Sequence, residues 1–292
     1  PDLTALPAEQ REVFTERLLA SFNKDAWAAQ AACATAVQVG RPIVPALAEA
    51  VAQRKRPGYS RMWLATALCR IRDPRSAAAL GALLDDTLHG VRNVVAYHGP
   101  LQRSETLDAA IVAAATGGKR PAMLTWAIRG WGRARPLPEK LRAAGLKSGE
   151  PKTRAATAEA LRRGPEKTAV PGLLTLLADE DPRVRAAAAG SLAARKARSR
   201  RVIDALVEAL GRPGAHARQR VAAALSALTG RDAPYDPKAP AEERDAVVAG
   251  WKAWWAEARS DVPGAWAGGE RSPQMSRRTT DCPDGQTIAP YR

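Results

Sequence analysis

Apolar residues recur along this chain at the spacing of one helix face. The clearest segment places four of them at positions i, i+3, i+4 and i+7: Val170, Leu173, Leu174 and Leu177. A second stripe follows after an acidic turn, with Val184, Ala188 and Leu192 four residues apart. Asp181 suits the N-cap of this second helix, and Pro182 suits its first position because proline lacks the N–H that would be unsatisfied there. The segment therefore predicts two helices joined by a short turn.

The two-helix pattern occurs again 33 residues downstream, where Ile203 takes the place of Val170 and Leu225 that of Leu192. A recurring arginine near the start of each second helix extends the series towards the N-terminus: Arg61, Arg92, Arg120, Arg154, Arg185 and Arg218. Repeats of this length indicate stacked supersecondary units. We therefore predict an all-α fold, an α-solenoid of about seven helical hairpins, at about 8–38, 41–71, 74–99, 104–133, 136–163, 166–196 and 200–229.

The C-terminal part of the chain predicts a cap helix and a tail. Trp251, Trp254 and Trp255 lie on one face of a predicted helix at about 241–258, and a solenoid needs an atypical last element to cover its apolar end. A cap is the favoured interpretation, and a ligand or base-stacking site is the alternative. Residues 261–292 are rich in Pro and Gly and lack helical periodicity, so we expect a solenoid with its cap over 1–260 and an extended tail over 261–292.

The segment Asp181–Arg185, followed by Ala188 and Leu192, resembles the second helix of HEAT repeats, particularly the short bacterial type also called phycobiliprotein-lyase-type repeats. Residues 228–232 with the downstream tryptophans resemble the terminal cap of HEAT proteins in high-GC bacteria. The resemblance covers roughly 8–229 and implies a superhelix whose second helices line a concave, protein-binding face. It also implies a location in the cell envelope, because capped HEAT proteins of this type are often exported.

The chain is strongly basic, with a formal net charge of +15 and a pI near 10.4. The resemblance implies that the recurring arginines bond to an Asp or a carbonyl of a neighbouring repeat. A denser basic cluster falls between the sixth and seventh hairpins: Arg195, Lys196, Arg198, Arg200 and Arg201. This cluster is either a solvated turn or a contact for an acidic partner or phosphate. In the tail, Arg277, Arg278 and Tyr291 are candidate partner-binding residues.

The sequence shows no recognisable arrangement for catalysis or metal binding. It contains no phosphate loop and no interpretable nucleophile, base and orienting group. Three cysteines and three histidines are scattered without the spacing of a zinc site. Cys33 is predicted to behave as a small core residue, and Cys282 is either a free thiol or part of a disulfide. We expect neither an enzyme nor a cofactor.

The favoured function is therefore a non-catalytic scaffold, one subunit of a larger assembly, that binds protein through its concave face and tail. A basic DNA-binding or DNA-repair solenoid is the main alternative, since some alkylpurine glycosylases are HEAT-like. A chaperone-like lyase for tetrapyrroles is a third, suggested by the repeat type alone. No transmembrane segment is predicted, because no stretch approaches 18 uninterrupted apolar residues.

Overall fold

The computed structural model describes residues 3–261, and every regular element in this range is a helix. Short 3-10 turns connect or flank several of the α-helices. The α-helices are α1 Ala8–Lys24, α2 Ala26–Val39, α3 Val44–Ala52, α4 Gly58–Ile71, α5 Ala77–Ala82, α6 His89–His98, α7 Glu105–Thr116, α8 Pro121–Ala134, α9 Glu139–Leu146, α10 Pro151–Leu161, α11 Glu166–Leu177, α12 Pro182–Ala194, α13 Arg200–Leu210, α14 Ala215–Thr229 and α15 Ala241–Ala258.

The helices α1 to α14 form seven antiparallel hairpins, and their bounds confirm the predicted α-solenoid. The even-numbered helices stack on one another as an inner layer, and the odd-numbered helices form an outer layer. Consecutive helices approach each other more closely in the inner layer than in the outer layer. The array therefore curves with the inner layer on its concave side.

Local sequence explains where the hairpins turn. The carboxylate of Asp181 accepts a hydrogen bond from the backbone N–H of Arg183 at 2.8 Å, and Pro182 is the first residue of α12, as predicted. Ser104 and Ser199 cap α7 and α13 through their side chains. Each cap satisfies an amide that has no partner within its helix.

Two buried apolar clusters run through the solenoid. One extends from Leu3 to Ala160 and the other from Ala158 to Trp255, and the side chain of Leu137 packs against both. At this junction α8 lies very close to its neighbours. A Cβ on Gly130 would collide with the carbonyl oxygen of Tyr97 in α6, and one on Gly132 would lie 2.6 Å from the Cβ of Ala160 in α10. Glycine therefore sets the spacing of three inner helices.

Helix α15 closes the C-terminal end of the solenoid, in agreement with the predicted cap. Trp251 and Trp255 are buried in the same cluster as Leu225 and Leu228 of the last hairpin. The Trp255 indole N–H donates to the carboxylate of Asp204 in α13 at 2.8 Å. The two buried tryptophan rings and the hydrogen bond to Asp204 thus hold the cap helix on the last hairpin.

The predicted tail falls outside the described residues, except for Asp261, which ends a short 3-10 turn. Among the described residues no single helix is long and apolar enough to cross a membrane, although α2 and the segment Arg41–Ala52, bent by 115°, pass the same length and composition test together.

Candidate functional site

Five of the six recurring arginines lie at the fourth position of an inner helix. They are Arg61 in α4, Arg92 in α6, Arg154 in α10, Arg185 in α12 and Arg218 in α14. Each donates hydrogen bonds to carbonyl oxygens of the turn that precedes its own helix. These guanidinium groups therefore hold the hairpin turns closed, because the carbonyls of a turn need donors.

Four of these arginines also reach the next repeat or the cap, as the resemblance implies. Arg61 pairs with Asp86 and Arg154 with Asp179, each through two hydrogen bonds. Arg185 donates to the Pro213 carbonyl, and Arg218 reaches Asp245 of the cap helix. Burial raises the pKa of Asp86, but hydrogen bonds from Arg61 and the Leu88 amide outweigh it and hold the pKa below its usual value. Arg92 bonds instead to the Asp86 and Thr87 carbonyls of its own hairpin, so the ladder joins repeats at the other four positions.

Arg120 precedes the first residue of its helix instead of taking the fourth position, but it bonds to the carboxylate of Asp85 and to a carbonyl of the neighbouring repeat, as the resemblance implies. The turn Gly117–Gly118 delays the helix, which begins at Pro121, so the fourth position of α8 is Leu124. Arg120 instead points back to the preceding hairpin, where it donates to the Leu84 carbonyl at 2.7 Å.

The inner helices α8 and α10 are joined by a buried hydrogen bond between Thr125 and Thr153 at 2.6 Å.

The predicted basic cluster spans the loop between α12 and α13 and the first two residues of α13, but Arg195 is used within the fold. Its guanidinium donates to the carbonyls of Leu161, Arg162 and Gly164 at the C-terminal end of α10. Lys196 and Arg201 are exposed, and Arg198 and Arg200 are half-buried. The candidate tail residues Arg277, Arg278 and Tyr291 lie outside the described residues. Partner binding by this whole set stays a prediction.

A different group of side chains shares one continuous surface on the inner layer. A cavity of about 230 Å³ is lined by residues of α6, α8 and α10, and one of about 330 Å³ by residues of α10, α12 and α14. Glu159 and Arg162 line both cavities, which joins them. We call this the concave arginine surface, formed by Tyr97, Trp126, Arg129, Arg133, Glu159, Arg162 and Arg220.

Aromatic rings position two of these arginines. The guanidinium of Arg133 lies 5.0 Å from the ring centre of Tyr97 and donates a hydrogen bond to its hydroxyl. Arg129 lies 5.8 Å from the ring centre of Trp126, which meets Tyr97 edge-on at 5.7 Å. Such cation–π contacts orient a guanidinium while leaving N–H donors open to a ligand.

The concave arginine surface has an excess of positive charge without ion pairs. Within residues 3–261, no carboxylate forms a salt bridge with any of its four arginines. Burial, together with the charges of Arg133 and Arg70, lowers the pKa of the adjacent His98. The histidine is therefore uncharged at neutral pH and adds nothing to this positive charge.

Small residues form the floor between the charged side chains. Gly132, Ala156, Ala160, Ala187 and Gly190 line the two cavities. A Cβ on Gly190 would lie 3.1 Å from a guanidinium nitrogen of Arg220, so glycine there makes room for this arginine. The lining between the arginines is therefore made of small side chains.

Sequence reasoning missed these residues, although a signal exists once the helix starts are known. Trp126 and Arg220 occupy the sixth position of their helices, and Tyr97 and Arg129 the ninth. In α12 the same two positions hold Ala187 and Gly190. Large residues at positions that a neighbouring repeat fills with Ala or Gly therefore mark the surface. Among the described residues, no group of three or more His, Cys, Asp and Glu side chains is placed to hold a metal ion.

The stacked hairpins and their interlocking turns define an α-solenoid, a class of repeat protein. Residues 138–233, which include α9 to α14, match the family model of HEAT repeats. Among solved structures, the chain is similar to human deoxyhypusine hydroxylase in complex with glycerol, at 18% identity and a TM-score of 0.35, over 78% of this chain and 92% of that one. No curated protein matches the sequence.

Proposed function

We propose that this protein is a non-catalytic scaffold, one subunit of a larger assembly, that binds a protein partner through its concave face and its tail. The observation that carries the proposal is the concave arginine surface, where Tyr97 and four arginines without salt bridges line two joined cavities and Trp126 packs beside Tyr97 and Arg129. Tyr, Trp and Arg are the residues most often responsible for binding energy at protein interfaces. A surface that crosses five inner helices suits a macromolecule.

Basic residues near the start of α13 and basic residues of the tail extend this proposal. Lys196 and Arg201 are exposed beside the last hairpin, and Arg277, Arg278 and Tyr291 are proposed as contacts from the tail. We also propose that the repeats are of the short bacterial type, on the pattern around Asp181–Arg185, and that the protein functions in the cell envelope.

DNA binding is the second candidate function, favoured by the net charge of +15 and by the same arginines. Other arginines argue against DNA binding, because their guanidinium groups are already hydrogen-bonded within the fold. Examples are Arg61, Arg154 and Arg195. Salt dependence separates the two candidates, since binding through phosphates weakens steeply with salt as counterions are released.

The test is chemical cross-linking and co-purification with the full chain in cell extract, in parallel for three proteins. Trp126→Ala/Arg129→Ala removes one cation–π pair from the concave arginine surface. Lys140→Gln/Lys167→Gln removes two exposed charges from the outer helices α9 and α11 and is the control. We expect one set of protein partners to be retained by the parent and the control and lost by the surface variant.

Two results contradict the scaffold proposal. If nuclease treatment releases everything that the surface variant fails to retain, the protein binds nucleic acid. If the parent and the surface variant retain the same proteins in the same amounts, the concave arginine surface is not the binding site.

A further inference from the structure

The charges on the concave arginine surface are ordered along the inner layer. Arg129 and Arg133 line the first cavity, Arg162 lines both, and Arg220 lines the second. Glu159 is the one carboxylate that lines either cavity. Four arginines thus surround a single carboxylate along the surface. This arrangement favours a ligand that carries several negative charges in series.

The arginines have donors to offer such a ligand. The aromatic rings hold Arg129 and Arg133 by their faces, so the guanidinium edges are not consumed by carboxylates of the described chain. A guanidinium edge matches a carboxylate with two parallel hydrogen bonds, and pre-positioned side chains lose little entropy when they bind. The surface is therefore suited to carboxylate groups.

The floor and the size of the cavities favour an extended peptide. The cavity of about 330 Å³ lies at the lower end of the size of ligand pockets and the one of about 230 Å³ below it, so each suits a few side chains of a longer ligand. Small residues, among them Ala156 and Ala187, line both cavities between the charged side chains. Glu159, between the cavities, can accept a hydrogen bond from a peptide N–H.

Glu159 also argues against a nucleic-acid backbone on this surface. Phosphodiester groups carry no N–H donors, so a phosphate placed between Arg129 and Arg220 would meet the carboxylate of Glu159 with repulsion. A polypeptide offers both the carboxylates that the arginines need and the amide donors that Glu159 needs.

We propose that the concave arginine surface binds an extended acidic segment of the protein partner, with side-chain carboxylates paired to Arg129, Arg133, Arg162 and Arg220 and with a main-chain N–H donated to Glu159. This inference rests on the scaffold function and specifies the chemistry of the partner.

The experiment measures fluorescence anisotropy of a short fluorescein-labelled peptide of alternating Glu and Ala, titrated with the full chain at low salt. The same peptide with Gln in place of Glu tests the need for carboxylates, and a labelled single-stranded oligonucleotide tests nucleic acid. We expect the Glu peptide to bind and the Gln peptide to bind at least about tenfold more weakly.

Four protein variants locate the binding. Arg129→Gln/Arg162→Gln should weaken binding of the Glu peptide about tenfold, since both arginines are exposed and each lost charge pair weakens it severalfold. Glu159→Gln should strengthen binding of the oligonucleotide more than binding of the Glu peptide, because phosphates lose a repelling carboxylate whereas the peptide also loses the charged acceptor of its N–H group. Arg133→Gln should weaken it, and the outer-layer control Lys140→Gln/Lys167→Gln should not change it more than about twofold. Circular dichroism verifies that each variant keeps the parent helix content.

Three results overturn the inference, each distinctly from the scaffold function. Equal affinities for the Glu and Gln peptides show that carboxylates are not recognised. Weakening by the outer-layer control as large as that by Arg129→Gln/Arg162→Gln shows attraction by net charge alone. If the oligonucleotide binds more tightly than the Glu peptide and loses this binding in Arg129→Gln/Arg162→Gln, the surface is a nucleic-acid site. If the Glu peptide does not bind while the Trp126→Ala/Arg129→Ala variant still loses its protein partner, the scaffold function stands. In that case only the proposal of an acidic segment is wrong.

Discussion

Arg61 donates two hydrogen bonds, of 2.9 and 3.1 Å, to the buried carboxylate of Asp86, and so joins the second helix of one hairpin to the turn of the next. Their side chains are 6% and 0% exposed. Arg154 and Asp179 repeat the arrangement at the same separation of 25 residues. An ion pair in the same place in two repeats indicates that it fixes how adjacent hairpins stack.

Removing one partner of the buried pair should be costly. Asp86→Ala leaves the guanidinium of Arg61 buried with carbonyls alone, and we expect a loss of about 3–5 kcal/mol in the free energy of unfolding. Arg183→Ala is the control, because Arg183 is 82% exposed where it pairs with Asp181, and it should cost less than about 1 kcal/mol. Urea unfolding followed by circular dichroism measures both. Equal losses would show that the Arg61–Asp86 bond is not a stabilising link.

The cap helix gives a prediction with an internal control. Trp251 is 0% exposed and packs in the terminal cluster, whereas Trp27 in α2 is 83% exposed. Trp251→Ala should cost about 3–5 kcal/mol, as for other buried large aromatic residues. Trp27→Ala should change the free energy of unfolding by less than about 0.5 kcal/mol. A Trp251→Ala protein that unfolds at the urea concentration of the parent would contradict the cap.

Replacing glycine by alanine should change the free energy of unfolding in opposite directions at two helix positions. A Cβ on Gly130 would collide with the Tyr97 carbonyl oxygen, whereas one on Gly250 in α15 meets nothing within 4 Å. Alanine favours a helix interior over glycine by about 1 kcal/mol, so Gly250→Ala should stabilise the protein by up to that amount. Gly130→Ala should destabilise it, because α6 and α8 must move apart. Thermal unfolding of both variants tests the sign, and stabilisation by Gly130→Ala would contradict the close approach.

The hairpins were predictable because helix periodicity and turn residues are local. Asp181 and Pro182 mark the start of α12 in the sequence, and the structure uses both as predicted. Arg120 continues the arginine series at nearly the repeat length, but the turn Gly117–Gly118 and Pro121 place it just before the first residue of α8.

The concave arginine surface was not predictable in the same way. Tyr97 and Arg133 belong to different repeats, and their contact depends on the close stacking of α6 on α8 that Gly130 allows. The basic run around Arg195 was predicted as a binding site because its charges are close together in the sequence. Arg195 itself is bonded to the end of α10, which depends on a tertiary contact that a single sequence does not show.

The first two inner helices carry buried thiols whose ionisation should couple to folding. Burial raises the pKa of Cys33 from its usual 9.0 to about 11, although the charge of Arg70 opposes this, and burial also raises the pKa of Cys69. Both are free cysteines. Because the folded protein binds these protons more tightly than the unfolded chain, the stability that Cys33 contributes is present below about pH 9 and is lost as the pH rises towards about 11.

We therefore expect the free energy of unfolding to fall more steeply between about pH 9 and 11 in the parent than in Cys33→Ala. Lysines and tyrosines also titrate in this range, but they are common to both proteins, so the difference in slope isolates the thiol. Urea unfolding is measured in reducing buffer, with Cys282→Ser in both proteins to remove the third thiol. At pH 8 both buried thiols should react with a maleimide only as fast as the first two hairpins open, because the reactive thiolate is scarce. Parallel slopes, together with labelling of the folded protein as fast as in urea, would show that Cys33 and Cys69 are open to solvent and that α2 and α4 do not pack over them.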